Sequence, residues 1–300
     1  RLVVDRARPA RLASARLLRL IGGPALALRL APGAPPRTGW PAGARPAEPA
    51  PLVPPSDDPR PLVMLDPGHG GIDPGAFRGD AVEKEIVLTF ARDLAAVLSA
   101  TGRWRVGLTR ERDRYLSLSA RVAAAEAAEA AVLLSLHANT VTRGDAVGAT
   151  VFTLSTEASD DEAEALAALE NRAEAMEGVD LAADGDDVAR ALIDLSRRRS
   201  LARSRALGDA LAEALGRATP MLRGRAHDRA GFRVLKSPAV PSALIELGFL
   251  TNAEDLARLR DPAWRTRVSH AVVAGLDAWR DAVLGAPPAL AALPPPRPGR

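Results

Sequence analysis

The chain is 300 residues long, 47% hydrophobic and 26% charged, which is ordinary for a globular protein and enough for a sizeable core. Cysteine is absent, so disulfide scaffolds, thiolate zinc sites and thiol nucleophiles are excluded, and any metal must sit on Asp, Glu or the four histidines. Formal charge is only +3 although the pI is about 10.0, because 38 of the 40 basic residues are arginines scattered along the chain; with aromatics at 3%, neither a basic stripe nor a stacking platform for nucleic acid emerges.

At the start of the chain, Arg1–Val4 and Ala25–Leu30 read as short strands, the remnant of an N-terminal β domain over 1–31. The most apolar stretch there, Leu17 to Leu30, is interrupted by Arg19, Pro24, Arg29 and two glycines, so no transmembrane segment is expected. No signal peptide is visible, and a start at Arg1 reads as a fragment or a processed form. Thirteen of the 25 prolines fall in the first 61 residues and six in the last 20. That distribution marks 32–61 as an extended linker and 285–300 as a disordered tail, leaving 62–284 as the globular part.

Within it, Leu62–Leu65 is a buried strand entering Asp66-Pro67-Gly68, and Val82–Ala100 has helical periodicity. Arg105–Leu108 is a strand, Leu116–Ala130 an Ala-rich helix, and Ala131–Leu136 and Ala149–Leu154 are further strands. Glu157–Arg199 departs from simple alternation. It reads as an acidic helical insertion, with a helix at about 157–176, a turn at Gly178 and a second helix from Asp187. Leu201–Leu215 and Trp264–Trp279 are amphipathic helices, and Val240–Leu247 holds one more strand. The expected fold is α/β: one mixed, largely parallel sheet with helices on both faces, plus a helical insertion over the cleft.

Three strands end in polar residues that packing alone does not require: Asp66-Pro67-Gly68-His69-Gly70-Gly71, then Ser135-Leu136-His137-Ala138-Asn139, then Ile245-Glu246-Leu247. Ligand sites in open α/β sheets gather at the carboxyl ends of strands. Glu83 opens the helix after the first glycine loop. His69, Glu83 and His137 therefore supply two imidazoles and a carboxylate, the donor set of a catalytic zinc with a fourth position open for water. Glu246 is then left to act as general base on that water. Taken singly the signals are bland. The glycine loop lacks the pattern of a P-loop or dinucleotide fingerprint, Glu83 can simply complement a helix dipole, and a lone His after a strand is usually structural. A carboxylate inside Ala-Leu-Ile-Glu-Leu, by contrast, needs a partner.

The stretches LDPGHGGIDPGA at 65–76, EKEIVL at 83–88, SLHAN at 135–139 and GFRVLKSPAVPSALIELGFLTN at 231–252 resemble the zinc-dependent N-acetylmuramoyl-L-alanine amidases of the periplasmic cell-division type. The resemblance implies one Zn2+ on His69, Glu83 and His137, with Glu85 as fallback for Glu83, and Glu246 as the catalytic carboxylate. It implies cleavage of the amide between N-acetylmuramic acid and L-alanine of the peptidoglycan stem peptide, in the periplasm. It further implies that the insertion covers the zinc until an activator protein displaces it; Glu162, Glu164, Glu170 and Glu174 are candidates for the blocking carboxylate. The N-terminal remnant would then belong to a wall-targeting domain. Asn139 and Asp66 are candidates for orienting a ligand or meeting substrate. Thr251-Asn252-Ala253-Glu254 reads as a capping box, and His227 and His270 as ordinary surface or packing residues. The competing readings are a zinc exopeptidase, for which His and Asp ligands are too few, and an inactive wall-binding module, which would have lost Glu246 or a ligand.

Overall fold

The computed structural model describes residues 10–20, 23–32, 57–140, 146–172 and 187–285, with the backbone alone for 10–32 and 187–198. Residues 1–50 and 51–300 form two units. In the first, β1 (Ala10–Leu20) and β2 (Gly23–Pro32) pair antiparallel, with a bulge between Leu12 and Ser14. The expected strand at Ala25–Leu30 lies inside β2; the one at Arg1–Val4 falls outside the described residues.

The second unit is built on a six-stranded sheet. In chain order its elements are β3 (Leu62–Pro67), the short pair β4 (Phe77–Arg78) and β5 (Ala81–Val82), α1 (Glu83–Ala100), β6 (Arg105–Leu108), α2 (Leu118–Ala127), β7 (Val132–Asn139), β8 (Thr150–Leu154), α3 (Asp161–Asn171), α4 (Asp187–Gly216), β9 (His227–Ala230), β10 (Ser242–Phe249), α5 (Ala253–Arg260) and α6 (Pro262–Val283). The sheet order is β6-β3-β7-β10-β8-β9. The first four strands run parallel; β8 is antiparallel to β10, and β9 is parallel to β8.

Strands β3, β7, β8 and β10 are buried at every position, as a sheet covered on both faces requires, and their apolar runs are continuous rather than alternating. One face packs Val63, Leu65, Leu134, Leu136 and Ile245 against α1, α4 and α6, through side chains such as Phe90, Leu94, Leu207, Leu211, Val272 and Leu276. On the other face Phe152, Leu154 and Leu244 pack with Ala163 and Ala167 of α3 and with Phe232, Val234 and Leu235.

Four helices begin at side-chain caps, whereas α1 follows Val82, whose side chain makes no cap hydrogen bond. Ser117 caps α2, Asp160 caps α3, and Asp261 caps α6 with Pro262 in its first turn. For α5 the cap is Asn252, whose Oδ1 accepts from Glu254 and Asp255 backbone N–H, rather than the Thr251 expected. The helix expected at 157–176 is shorter, Asp161–Asn171, and Leu201–Leu215 is the end of one 30-residue helix beginning at Asp187. Gly178 falls outside the described residues. Among the described residues, no helix is long and apolar enough to cross a membrane.

Candidate metal centre

Register fixes the site. In the parallel ladder Asp66 pairs with Ser135, and Glu246 sits between His137 on β7 and Thr150 on β8. The loop leaving β3 is tied to β7 by Gly68 N–H on the Leu136 carbonyl at 3.0 Å. A Cβ at Gly68 would come within 2.4 Å of the His137 ring, so only glycine lets the imidazole lie against this backbone. Gly75 has φ +66° and a Cβ there would meet Glu83 Oε2 at 2.5 Å. His69 itself sits at φ +58°, a left-handed conformation that costs a non-glycine residue free energy and clusters at functional sites.

His69 Nδ1 lies 2.9 Å from Asp73 Oδ2, so the ring gives that proton to the carboxylate and turns Nε2 inward. Glu83, the first residue of α1, takes Ala76 N–H on Oε2 at 2.7 Å and Ala138 N–H on Oε1 at 3.0 Å. Its Oε1 stands 3.1 Å from both His69 Nε2 and His137 Nδ1. Glu170 of α3 completes the group, with Oε2 at 3.4 Å from His69 Nε2 and 3.3 Å from His137 Nδ1. Donor atoms around zinc at ~2.0–2.1 Å in a tetrahedron stand about 3.3–3.4 Å apart, close to the separations of each carboxylate from the two imidazoles. His69 Nε2 is a buried nitrogen without a hydrogen-bond partner, which points the same way. His69, His137 and Glu170 also form a three-residue group able to hold a metal ion.

Burial alone would lower the His69 pKa; Glu83 and Asp73, helped by Glu170, outweigh it and hold the imidazole well above its ordinary value. Burial would raise the Glu83 carboxyl, but His69 and His137 hold it well below the usual range. Glu170 goes up, mainly by burial. Glu246 is 1% exposed and neither carboxylate oxygen has a hydrogen-bond partner; burial, then the charges of Glu83 and Glu170, push it well above the carboxylate range. Beside it opens a cavity of about 580 Å³ lined by Asn139, Phe152, Leu169, Arg225 and Phe249 among others.

His69, Glu83, His137 and Glu246 thus come together, while Glu85 is exposed on the outer side of α1. Glu170 Oε2 stands within 3.4 Å of both imidazoles, where the sequence predicts an open position. Glu162 instead pairs with Arg225, Glu164 is exposed, and Glu174 lies outside the described residues. Asp66 does not touch the His69 ring. It accepts from Thr109 Oγ1, Arg121 Nη1 and Ser135 Oγ, and Arg121 passes its hold on to the His69 carbonyl at 2.7 Å. Asn139 Oδ1 takes the Thr140 N–H and leaves His137 alone, although the residue lines the cavity. The orienting carboxylate is Asp73, which sequence reasoning missed; its one signal is an acid four residues after His69 in a glycine loop. His227 is held by Thr153 and Asp209, and His270 is exposed on α6.

A largely parallel α/β sheet thus brings two imidazoles and acidic donors together at the carboxyl ends of its strands, a group able to hold a metal ion beside a buried glutamate. Residues 63–278 match the family model for N-acetylmuramoyl-L-alanine amidases, and the chain belongs to that family. It is 38% identical over 219 residues to the amidase AmiC of Neisseria meningitidis, covering 72% of this chain and 52% of the relative. To AmiA of Salmonella typhimurium it is 38% identical over 218 residues, 72% of this chain and 74% of that protein. The chain therefore spans about half the length of the AmiC relatives it matches. Among solved structures, AmiC2 of Nostoc punctiforme superposes with a TM-score of 0.52 at 26% identity, over 72% of this chain and 94% of that one. The Clostridium difficile 630 amidase shares the fold, with a TM-score of 0.55 at 24% identity over 75% and 98% of the two chains.

Proposed function

We propose that the chain is a zinc-dependent amidase that hydrolyses the bond between N-acetylmuramic acid and L-alanine of peptidoglycan, and that α3 holds it closed through Glu170. The observation that carries this is the convergence of His69 Nε2, Glu83 Oε1, His137 Nδ1 and Glu170 Oε2 beside a glutamate with no partner. Family membership supplies the reaction. Resemblance to the periplasmic division amidases supports a role in daughter-cell separation and an activator protein that displaces α3.

His69, Glu83 and His137 would hold the ion, with Asp73 on Nδ1 leaving the His69 Nε2 lone pair free for it. A zinc ion so held acidifies water and polarises an amide carbonyl. Glu246 takes the proton of the attacking water and delivers it to the departing L-alanine nitrogen. No side chain ties up either oxygen, which leaves the carboxylate available for that transfer. The loop glycines Gly68 and Gly75 keep the imidazoles and Glu83 packed against backbone, which fixes their directions before substrate arrives. With α3 in place Glu170 Oε2 would stand among the ion's donors, where the scissile carbonyl would otherwise bind.

Mass spectrometry of digested peptidoglycan tests the reading, with the chain as it stands and with Glu170→Ala, each with chelator and with zinc restored. Glu170→Ala is expected to release intact stem peptides beginning at L-alanine at least about tenfold faster than the parent, with Glu246→Gln reducing that activity at least about 100-fold while retaining zinc. Trimmed peptides would indicate a peptidase. No product from folded, zinc-loaded Glu170→Ala would favour a wall-binding module.

A further inference from the structure

Arg225 stands two residues before β9 and grips three carboxylates: Nε on Asp228 Oδ2 at 2.6 Å, Nη2 on Asp160 Oδ1 at 2.9 Å, and Nη1 on Glu162. Asp228 belongs to β9, the same segment as the arginine. Asp160 and Glu162 are the cap and first turn of α3. The Arg225 side chain is only 17% exposed, and it lines the cavity of about 580 Å³ that Glu246 and Arg223 also line. If α3 leaves the cleft, two of the three carboxylates leave with it. Since α3 supplies part of that cavity's wall, the surface left behind would present Arg223 and Arg225 without Glu162, and a half-desolvated guanidinium favours a forked carboxylate partner.

Resting on the reading that α3 is a removable blocker, we infer that Arg225 is the binding site for a carboxylate of the substrate peptide. In the closed form α3 imitates that peptide at both ends, with Glu170 among the metal donors and Asp160 and Glu162 on the guanidinium. Glu162 and Glu170 are eight residues apart, about 12 Å along a helix. An extended peptide rising about 3.3 Å per residue spans this in three to four residues. The ligand is therefore a peptide with a free carboxylate three to four residues beyond the scissile amide. The sugar side cannot supply it, because the lactyl carboxyl of the muramic acid is consumed in the amide being cut.

The test uses the full chain carrying Glu170→Ala, zinc-loaded, and a muramoyl tetrapeptide whose only free carboxylate is its C-terminus, against the same compound as C-terminal amide. Both KM for hydrolysis and Kd by calorimetry are read. The acid is expected to give values at least about tenfold lower than the amide, the gap closing in Arg225→Gln and shrinking in Arg225→Lys. Equal values for acid and amide with Arg225 present would overturn the inference, as would a gap that survives Arg225→Gln, or failure to bind either compound. A Kd gap lost in Arg225→Gln, without hydrolysis of either compound, would uphold the carboxylate site and sink the amidase reading instead.

Discussion

The loop that presents His69 is held by two buried guanidinium groups. Arg110 gives hydrogen bonds to the carbonyls of Pro67, Gly68 and Lys84, and Arg121 to those of Pro67 and His69. Burial, then the neighbouring Arg121 charge, brings Arg110 down to about 10. Asp66 is the carboxylate that balances Arg121, 2.6 Å away. Burial would raise the Asp66 pKa, but Arg121, Thr109 and Ser135 together hold it below the ordinary value. Asp66→Asn is expected to cost about 3–5 kcal/mol, since Arg121 would stay buried without its charge partner. Because the folded pKa is depressed, that stability is fully present above the unfolded value of ~3.9 and is lost as pH falls through the lower folded value. Thermal unfolding should show a parent–variant gap that is constant from neutral down to about pH 5 and narrows below ~4. A gap independent of pH would remove Asp66 from this role. At this scale the sequence was legible where a residue type was anomalous, as for Glu246 inside an apolar strand. Asp73 and Arg121 were not, because spacing in a glycine loop does not say which way a side chain turns, and arginine is too common in this chain to stand out.

Among the elements, α3 is fastened differently from its neighbours. Its buried apolar contribution is two alanines, Ala163 and Ala167, while Leu169 is 46% exposed. Leu166 adds a partly buried apolar contact, and the rest of its hold is polar: Arg225 on Asp160 and Glu162, Asn171 with the Gly231 carbonyl and Arg233 N–H, and Glu170 beside the two imidazoles. By comparison α6 buries Trp264, Val268, Val272, Leu276 and Trp279. Little apolar area means a low cost of local opening. Hydrogen exchange is expected to find the amides of 164–171 at least about 100-fold less protected than those of α6. Equal protection would make α3 an integral part of the core. The sequence located this helix but overran both its ends, since its Ala and Glu pattern has no internal stop and the Asp160 cap is one acid among several. It split α4 for the opposite reason: the polar Ser196–Ser200 stretch breaks the apolar periodicity without breaking the helix. Strand β9, His-Asp-Arg-Ala, carries no apolar alternation, and its pairing with β8 comes from the fold around it.

For the molecule as a whole, the sheet was the most legible feature, because its central strands are continuous apolar runs bounded by turns. The sense of β8 was not, since direction leaves no trace in composition. A zinc ion binding only the folded chain stabilises it by about 2.7 kcal/mol at a hundredfold excess over its dissociation constant. For a unit of this size that is a rise in Tm of about 5–10 °C, reversed by chelation and smaller in Glu170→Ala; an unchanged Tm would argue against a metal at this centre.

The fourth corner carries a further consequence. On the proposed reading the closed chain would give the ion four protein donors, and the chain with α3 displaced would give it three. Any difference in affinity between these two forms works in both directions: closure tightens the grip on zinc, and zinc deepens the well in which closure sits. A stripped chain would then open more readily than a loaded one, and whatever displaced α3 would work against the coordination bond as well as against the helix's contacts.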